Sequence, residues 1–352
     1  MASLLFSNLS PLRTNAQKYA DVFKDYLKQS DNVQIASGYI STDSAVDLKN
    51  IIEANGGPKL NLCVGMHYFE GLSPVQLDAL QSLNAALRER DLGGVSMVTT
   101  FPFHGKLVSF GKDEAILGSI LGSSNLTNIV EGQRQYEADC LFAGDNQAVE
   151  INDFISQLIE TAARPLDALT ITPVIPENNL LKDQLGVVKL QDNEARNTKQ
   201  QLGDIHFDIP LKGDVSQRSG LNASFGEGRR NQQGFVQPRS WYEVELIVPK
   251  EITDNPEYPK ANSENAQFDV VTDDGWKFRC KVSGDYSKNL RSEDDLKTLG
   301  RWIKGRLENA GVLRPGERVS DETLARYGRS NLKMSKIKDT NAWYLDFGVE
   351  NA

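Results

Sequence analysis

FHGKLVSFGKDEAILGSILGSSNLTN, residues 103–128, reads as two apolar runs joined by a polar turn. The runs KLVSF and AILGSIL are strand-like, and GKDE between them predicts a β-hairpin. In an extended segment side chains repeat every two residues, so His104 and Lys106 share a face. The hairpin returns LGSSNLT alongside, which lets Ser123 and Asn125 converge on that face. An imidazole, an ammonium, a hydroxyl and an amide around one small volume suit a phosphate. Lys and Asn neutralise and donate to its oxygens, and a neutral imidazole nitrogen can attack phosphorus. The chain has three histidines. Only His104 has a Lys two residues on and G-S-x-N beyond it; His67 in GMHYF and His206 in DIHFD have neither.

Around this hairpin, strand-like and helix-like runs alternate. VQIASGYI (33–40), KLNLCVGMHY (59–68), GVSMVTTFPF (94–103) and YEADCLFAG (136–144) read as strands. Between them lies a helix from Ser41 or Thr42 to Gly56, and a second with Ser73 as N-cap and Pro74 at its first position. NQAVEINDFISQLIETAARP (146–165) closes the block as an amphipathic helix ended by Pro165. This alternation predicts an α/β layer fold over 1–168. Residues 169–205 are polar and turn-rich, and read as a linker. Over 206–352 strand-like runs dominate, with a turn at Asp273-Asp274-Gly275 and one helix, SEDDLKTLGRWIKGRLENAG, capped by Ser292 and ended by Gly311. That pattern predicts a mainly-β barrel or sandwich.

Composition is that of a globular chain, 39% hydrophobic and 25% charged, with no apolar run near the ~20 residues of a membrane span. The N-terminus lacks the basic start and apolar core of a signal peptide, so the expectation is a cytoplasmic protein. Cys63, Cys140 and Cys280 stand singly within apolar segments, which suits buried free thiols rather than a zinc site or disulfides. The net charge of −9 hides an asymmetry: 24 acidic and 16 basic residues over 1–200, but 24 and 23 over 201–352. Two later segments are basic. Residues 218–239 hold Arg218, Arg229, Arg230 and Arg239 against Glu227; residues 277–291 hold Lys277, Arg279, Lys281, Lys288 and Arg291 against Asp285. A local stripe is what meets phosphate. The acid-x-Lys pairs of a magnesium nuclease, Asp47–Lys49 and Asp295–Lys297, fall in expected helices, where i and i+2 do not share a face. No G-K-[ST] phosphate loop occurs.

HGK…LGSSNLT resembles the H-x-K…G-S-x-N signature of the phospholipase D superfamily. With QYEADCLF it is more similar to the metal-independent nuclease domain of restriction endonucleases of the BfiI and NgoFVII kind. The resemblance implies that His104 forms a phosphohistidine, that Lys106, Ser123 and Asn125 hold the phosphate oxygens, and that Glu137 orients the histidine. It also implies a second histidine to protonate the leaving oxygen. The wider superfamily has an Asp five positions after the Lys, where this chain has Gly111, so the orienting falls to Glu137. With one motif per chain, the two-histidine chemistry implies a homodimer through the N-terminal domain, each subunit giving one His104. No metal and no other cofactor is implied.

RSGLNASFGEGRRNQQGFVQPRSWYEVELIVP (218–249) is rich in the Arg, Asn and Gln side chains that pair with base edges. The region 205–349, through SGLN, DVVTDDGWKFRCKVSGDYSKNL, LGRWIKGRL, YGR and WYLDF, resembles the C-terminal DNA-binding pseudobarrel of NgoFVII-type enzymes. That domain is similar to the EcoRII effector domain and to a class of plant transcription factors, in which two arms clasp the major groove. By this analogy one arm spans 219–239 with Ser219, Asn222, Arg229, Arg230, Gln232 and Arg239. The other uses Arg279, Lys281, Lys288 and Arg291. The expected partner is double-stranded DNA, and the implied activity is site-specific cleavage. A separate helicase-like ATPase subunit, through which alone ATP would enter, and a cognate methyltransferase are further implied partners. The alternatives are a phospholipase D-like lipid hydrolase, for which FPF at 101–103 is the only hint, and a DNA-binding regulator with an inactive nuclease domain.

Overall fold

The structure, a computed structural model, describes residues 2–126, 135–177, 179–213, 219–232 and 234–349. Its contacts divide the chain into two units: Met1–Asn178 with Arg229–Pro238, and Asn179–Gly228 with Arg239–Ala352.

The first unit runs β1 (Ala2–Phe6), α1 (Tyr19–Leu27), β2 (Asn32–Ser37), α2 (Thr42–Asn55), β3 (Lys59–Val64), α3 (His67–Glu70), α4 (Pro74–Glu89), β4 (Gly93–Val98), β5 (Lys106–Lys112), β6 (Ala115–Gly122), β7 (Ala138–Phe142), α5 (Asn146–Ala162) and β8 (Ala163–Pro165). Its sheet has the order β1-β7-β6-β5-β2-β3-β4-β8. The strands joined by helices, β2, β3 and β4, are parallel; β5 and β6 form the antiparallel hairpin expected from the turn at GKDE, and β7 pairs antiparallel to β6. Ser41 caps α2 by accepting from Ser44 N at 3.3 Å, and Gly56 ends it at φ 69°. Ser73 and Gln76 close a capping box on α4. Ala36, Cys63, Val98 and Leu107 pack under Ile155, Leu158 and Ala162 of α5. Val33 and Ile35, facing the opposite way, are equally buried. On that side Phe23 of α1 meets Phe110 edge to face, ring centroids 5.6 Å apart. A sheet covered on both faces explains strands that read as near-continuous apolar runs.

Three boundaries differ from expectation. The runs at 59–68 and 94–103 leave the ladder at Val64 and Val98, and their remaining residues build the connections at the strands' carboxyl ends. The last helix stops at Ala162, and Ala163–Pro165 adds an edge strand to β4, a place where a proline's missing N–H costs nothing.

In the second unit β9 (Val188–Lys189), α6 (Asp192–Gln200) and β10 (Leu202–Pro210) lie in or beside the stretch expected as a linker. β9 pairs with β15 (Trp276–Ser283), and Gln191 and Glu194 form a capping box on α6, so the contact boundary falls near residue 178 and the later part of 169–205 carries regular structure. β11 (Arg229–Arg230) and β12 (Val236–Gln237) pair as a small hairpin that belongs to the first unit. There Asn55 grips both polar groups of the Val236 peptide, donating to its carbonyl at 2.8 Å and accepting from its N–H at 2.7 Å.

The second unit continues with β13 (Leu246–Ile247), α7 (Lys250–Thr253), β14 (Gln267–Thr272), β15 (Trp276–Ser283), β16 (Asn289–Ser292), α8 (Thr298–Asn309), α9 (Asp321–Tyr327), β17 (Asn331–Ile337) and β18 (Ala342–Asp346). The sheet order is β10-β17-β18-β14-β15-β16-β13, with β14 and β18 parallel. Trp241, Tyr242, Trp302, Trp343 and Phe347 of this unit are all buried. The helix expected from Ser292 starts instead at Thr298. Ser292 closes β16, and its hydroxyl donates to Asp295 O at 2.6 Å and accepts from Leu299 N at 3.2 Å, which builds a turn ahead of the helix. Asp295, therefore outside the helix, bonds Arg301 at 3.1 Å.

Candidate active site

At one end of the first sheet, β2 stands between parallel β3 and antiparallel β5. Chain connections diverge at such a reversal, and a crevice opens beyond the strand ends. Lys106 at the start of β5 lies opposite Ser37 at the end of β2. β6 returns with Leu121 opposite Leu107 and brings Gly122–Asn125 to the same end. β7 sets Asp139 opposite Gly122, with Glu137 just before it.

The Lys106 ammonium lies 3.0 Å from Nδ1 and 3.1 Å from Nε2 of His104, and donates to its carbonyl at 2.6 Å. The Asn125 amide oxygen accepts from Tyr39 N at 3.3 Å. Its loop is tied to the exit of β2 by Leu126 N donating to the Ser37 hydroxyl at 2.9 Å and by Ser41 N donating to Leu126 O at 3.2 Å. A Cβ added at Gly38 would lie 3.3 Å from Cδ2 of His104 and 3.5 Å from Oδ1 of Asn125, so imidazole and amide flank the same glycine. A Cβ at Gly65 would sit 2.0 Å from the Phe103 carbonyl oxygen, and one at Gly122 would sit 2.0 Å from Oδ1 of Asp139. Only glycine lets these strand ends approach so closely.

Ser123 donates to Glu137 at 2.5 Å and accepts from Ala138 N at 3.0 Å. Asp139 accepts from the Ser124 peptide at 2.9 Å and its hydroxyl at 2.6 Å. Burial pushes the Glu137 and Asp139 carboxyls up, while the bond from Ser123 opposes this at Glu137 and the bonds from Ser124 oppose it at Asp139. Burial also pulls the Lys106 ammonium down, against the attraction of Glu137. Lys106 and Glu137 are thus within each other's field at the mouth of the crevice. His104 and Ser123 are exposed; Lys106, Asn125 and Glu137 are half-buried.

The structure therefore gathers His104, Lys106 and Asn125, and pairs Ser123 with Glu137. Sequence reading missed Tyr39, Asp139 and the glycines at 38 and 65. Glu137 and Asp139 stand two apart in a strand, a same-face spacing that could have marked the second acid. His67 is buried, with Nδ1 3.2 Å from Gly71 O and Nε2 3.3 Å from Ile40 N. Nε2 also lies 3.3 Å from Ile40 O, so both ring nitrogens are engaged by backbone groups. Burial lowers the affinity of this imidazole for a second proton.

The residues expected to meet DNA divide into groups. Asn222 is a correction. It is buried, and its amide donates to Gly213 O and to Val319 O at 2.8 Å and accepts from Val319 N at 2.9 Å. It holds two chain segments together and presents nothing to a base. On the outer face of β14–β16, Lys277 pairs with Asp269 at 2.9 Å, Lys281 with Glu293 at 2.8 Å, and Arg279 donates to Gln267 at 2.9 Å. Arg239 pairs with Glu243 at 2.7 Å. The second basic stripe is thus partly neutralised by acids outside its own sequence segment. Arg229, Arg230, Gln232 and Lys288 are exposed, while Ser219 and Arg291 are half-buried. Arg230 also donates to Gly234 O at 2.9 Å. Arg218 lies outside the described residues. Among the described residues no three His, Cys, Asp or Glu side chains gather as a metal site, and no helix is long and apolar enough to cross a membrane.

Residues 17–166 match the family of the NgoFVII restriction endonuclease N-terminal PLD domain, where PLD denotes phospholipase D. Residues 197–338 match that of the NgoFVII C-terminal B3-like DNA-binding domain. No curated protein matches the chain. Among solved structures it is similar to Nuc, a phospholipase D family member from Salmonella typhimurium, at 13% identity over 47% of this chain and 97% of that one, TM-score 0.33. It is similar to NucT from Helicobacter pylori at 14% identity over 46% and 97%, TM-score 0.31. Phosphatidylserine synthase from Haemophilus influenzae Rd KW20 aligns at 14% identity over 48% of this chain and 41% of its own, TM-score 0.34.

Proposed function

This chain belongs to the NgoFVII restriction endonuclease family, and from that premise we propose that it is a site-specific DNA endonuclease whose hydrolysis runs without a metal, through a phosphohistidine on His104. A neutral His104 nitrogen attacks phosphorus; the P–N bond forms as the bond to the leaving oxygen breaks. The partner subunit's His104, protonated, gives that oxygen its proton. It then takes a proton from water, whose oxygen displaces His104 from phosphorus. Lys106 balances the charge that develops on the phosphoryl oxygens. Since Oδ1 of Asn125 accepts from Tyr39 N, its NH2 end is the donor that faces a phosphate oxygen. Ser123 shares its one proton with Glu137, so it donates to phosphate once that bond opens.

The observation that carries this reading is the company of His104. His67 is buried with its ring nitrogens engaged by Gly71 and Ile40, and His206, in DIHFD, has neither a Lys two residues on nor a following G-S-x-N. A second reacting histidine in this site therefore comes from a second copy of the chain, which is the basis for proposing a homodimer with one site on its dyad.

Plasmid incubated with the protein in EDTA tests the proposal. Discrete fragments from the wild type and none from His104→Ala are expected, with a base-stable, acid-labile label on the protein when end-labelled DNA is used. Cleavage that stops with chelator and returns with magnesium overturns it. A helicase-like ATPase subunit and a cognate methyltransferase are the further partners this reading proposes; purified protein that cuts without ATP removes the first.

A further inference from the structure

An exposed imidazole that must attack phosphorus in line has to be held at one orientation, because small misplacements cost rate steeply. Lys106 contacts the His104 ring from its own strand. A second contact comes from Tyr39, just past the end of β2. The Tyr39 ring stands edge to face against His104, centroids 5.6 Å apart at 79°, and meets the His67 ring at 5.4 Å and 83°. The Tyr39 hydroxyl donates to Glu70 at 2.7 Å. Its peptide N–H donates to Asn125. The bond to Glu70 is the chief reason the phenol is pushed up to about 12, so it stays a neutral donor at working pH. One residue is therefore anchored by Glu70, packed on the immobilised His67, and in contact with both His104 and Asn125.

We infer that Tyr39 is a positioning residue: its braced ring sets the imidazole for attack, and its N–H sets the amide end of Asn125. This rests on the reading of His104 as the nucleophile. Mere aromatic packing would change stability without changing the state of His104, and the experiment separates the two.

Full-length Tyr39→Phe, Tyr39→Leu and Glu70→Ala are compared with wild type for kcat and KM on plasmid. The imidazole resonance of His104 is followed in protein labelled at histidine Cε1, and assigned by its disappearance in His104→Ala. Tyr39→Leu should lower kcat by roughly 100-fold at unchanged KM, and shift or broaden the His104 signal. Tyr39→Phe keeps the ring and should recover most of that rate and a near-native signal. Glu70→Ala, at an exposed position, frees the hydroxyl without disturbing the core; like Tyr39→Phe it should leave a residual few-fold loss of kcat and a small shift of the His104 signal, even if the Leu variant does not fold. A wild-type rate in Tyr39→Leu overturns the inference. So does a slowed variant with an unmoved His104 signal, or, where Tyr39→Leu does not fold, a Glu70→Ala protein unchanged in both. If wild type cuts no DNA the nuclease reading fails, while the His104 signal still tests the brace.

Discussion

Asn222→Ala separates two roles that one asparagine can play. In the structure it leaves Gly213 O, Val319 O and Val319 N without their side-chain partner, and orphaning buried polar groups costs ~1–3 kcal/mol each. A lowered urea midpoint with unchanged site preference is the expected result; altered preference at full stability would restore it to the DNA interface. Sequence could not tell these roles apart, because an amide that pairs with adenine pairs equally well with peptide groups. The nearness of His104, Lys106 and Asn125 was legible for the opposite reason. Their spacing in strands and a turn fixes which way they point, whatever lies around them. Tyr39 was not legible, since its role depends on Glu70, His67 and Asn125, which only the sheet order brings near. Gly38→Ala is the sharpest probe at this scale. Its Cβ would press on the His104 ring at 3.3 Å, and a shift of a few tenths of an ångström should lower kcat by about tenfold while the circular dichroism melt stays put.

Among elements, the short helix α3 carries a measurable consequence. Burial holds His67 below the ordinary histidine value of ~6.5. The unfolded chain takes up a proton as pH falls through that value and the folded chain resists it, so stability should decline as pH drops below ~6.5 and level off beneath the lowered folded value. Burial of Glu137 and Asp139 acts in the other direction, adding stability on acidification just above the ordinary carboxylate range. Urea midpoints from pH 8 to 5 should show the His67 slope, and His67→Gln should remove it; a slope that survives belongs to another group. Helix caps such as Ser41 and Ser73 were readable because a cap is a local bond. The start of α8 was not: Ser292 looks like an N-cap, but its hydroxyl serves a turn between β16 and the helix. The neutralised stripe on β15 fails for a like reason, since Asp269 sits on the neighbouring strand β14 and Glu293 lies just past the end of β16.

For the whole molecule, a shared site predicts a particular arithmetic. When wild type and His104→Ala are co-folded in equal amounts, pairs form at random, and only those with two intact imidazoles cut. Activity should fall to about a quarter of an all-wild-type sample; independent subunits would retain half. DNA recognition is tested at Arg229 and Arg230, both exposed. Replacement of a base reader by Ala costs ~1–3 kcal/mol at one position of the site, whereas loss of a phosphate contact weakens every sequence alike and flattens the salt dependence. These arginines stand on the one stretch, Arg229–Pro238, that leaves the second unit to join the first, where Asn55 clamps Val236. Recombination at a single crossover near residue 178 would therefore graft a foreign ribbon onto α2 of the recipient. Chimeras between relatives should succeed only when the donor and the recipient agree on that clamp.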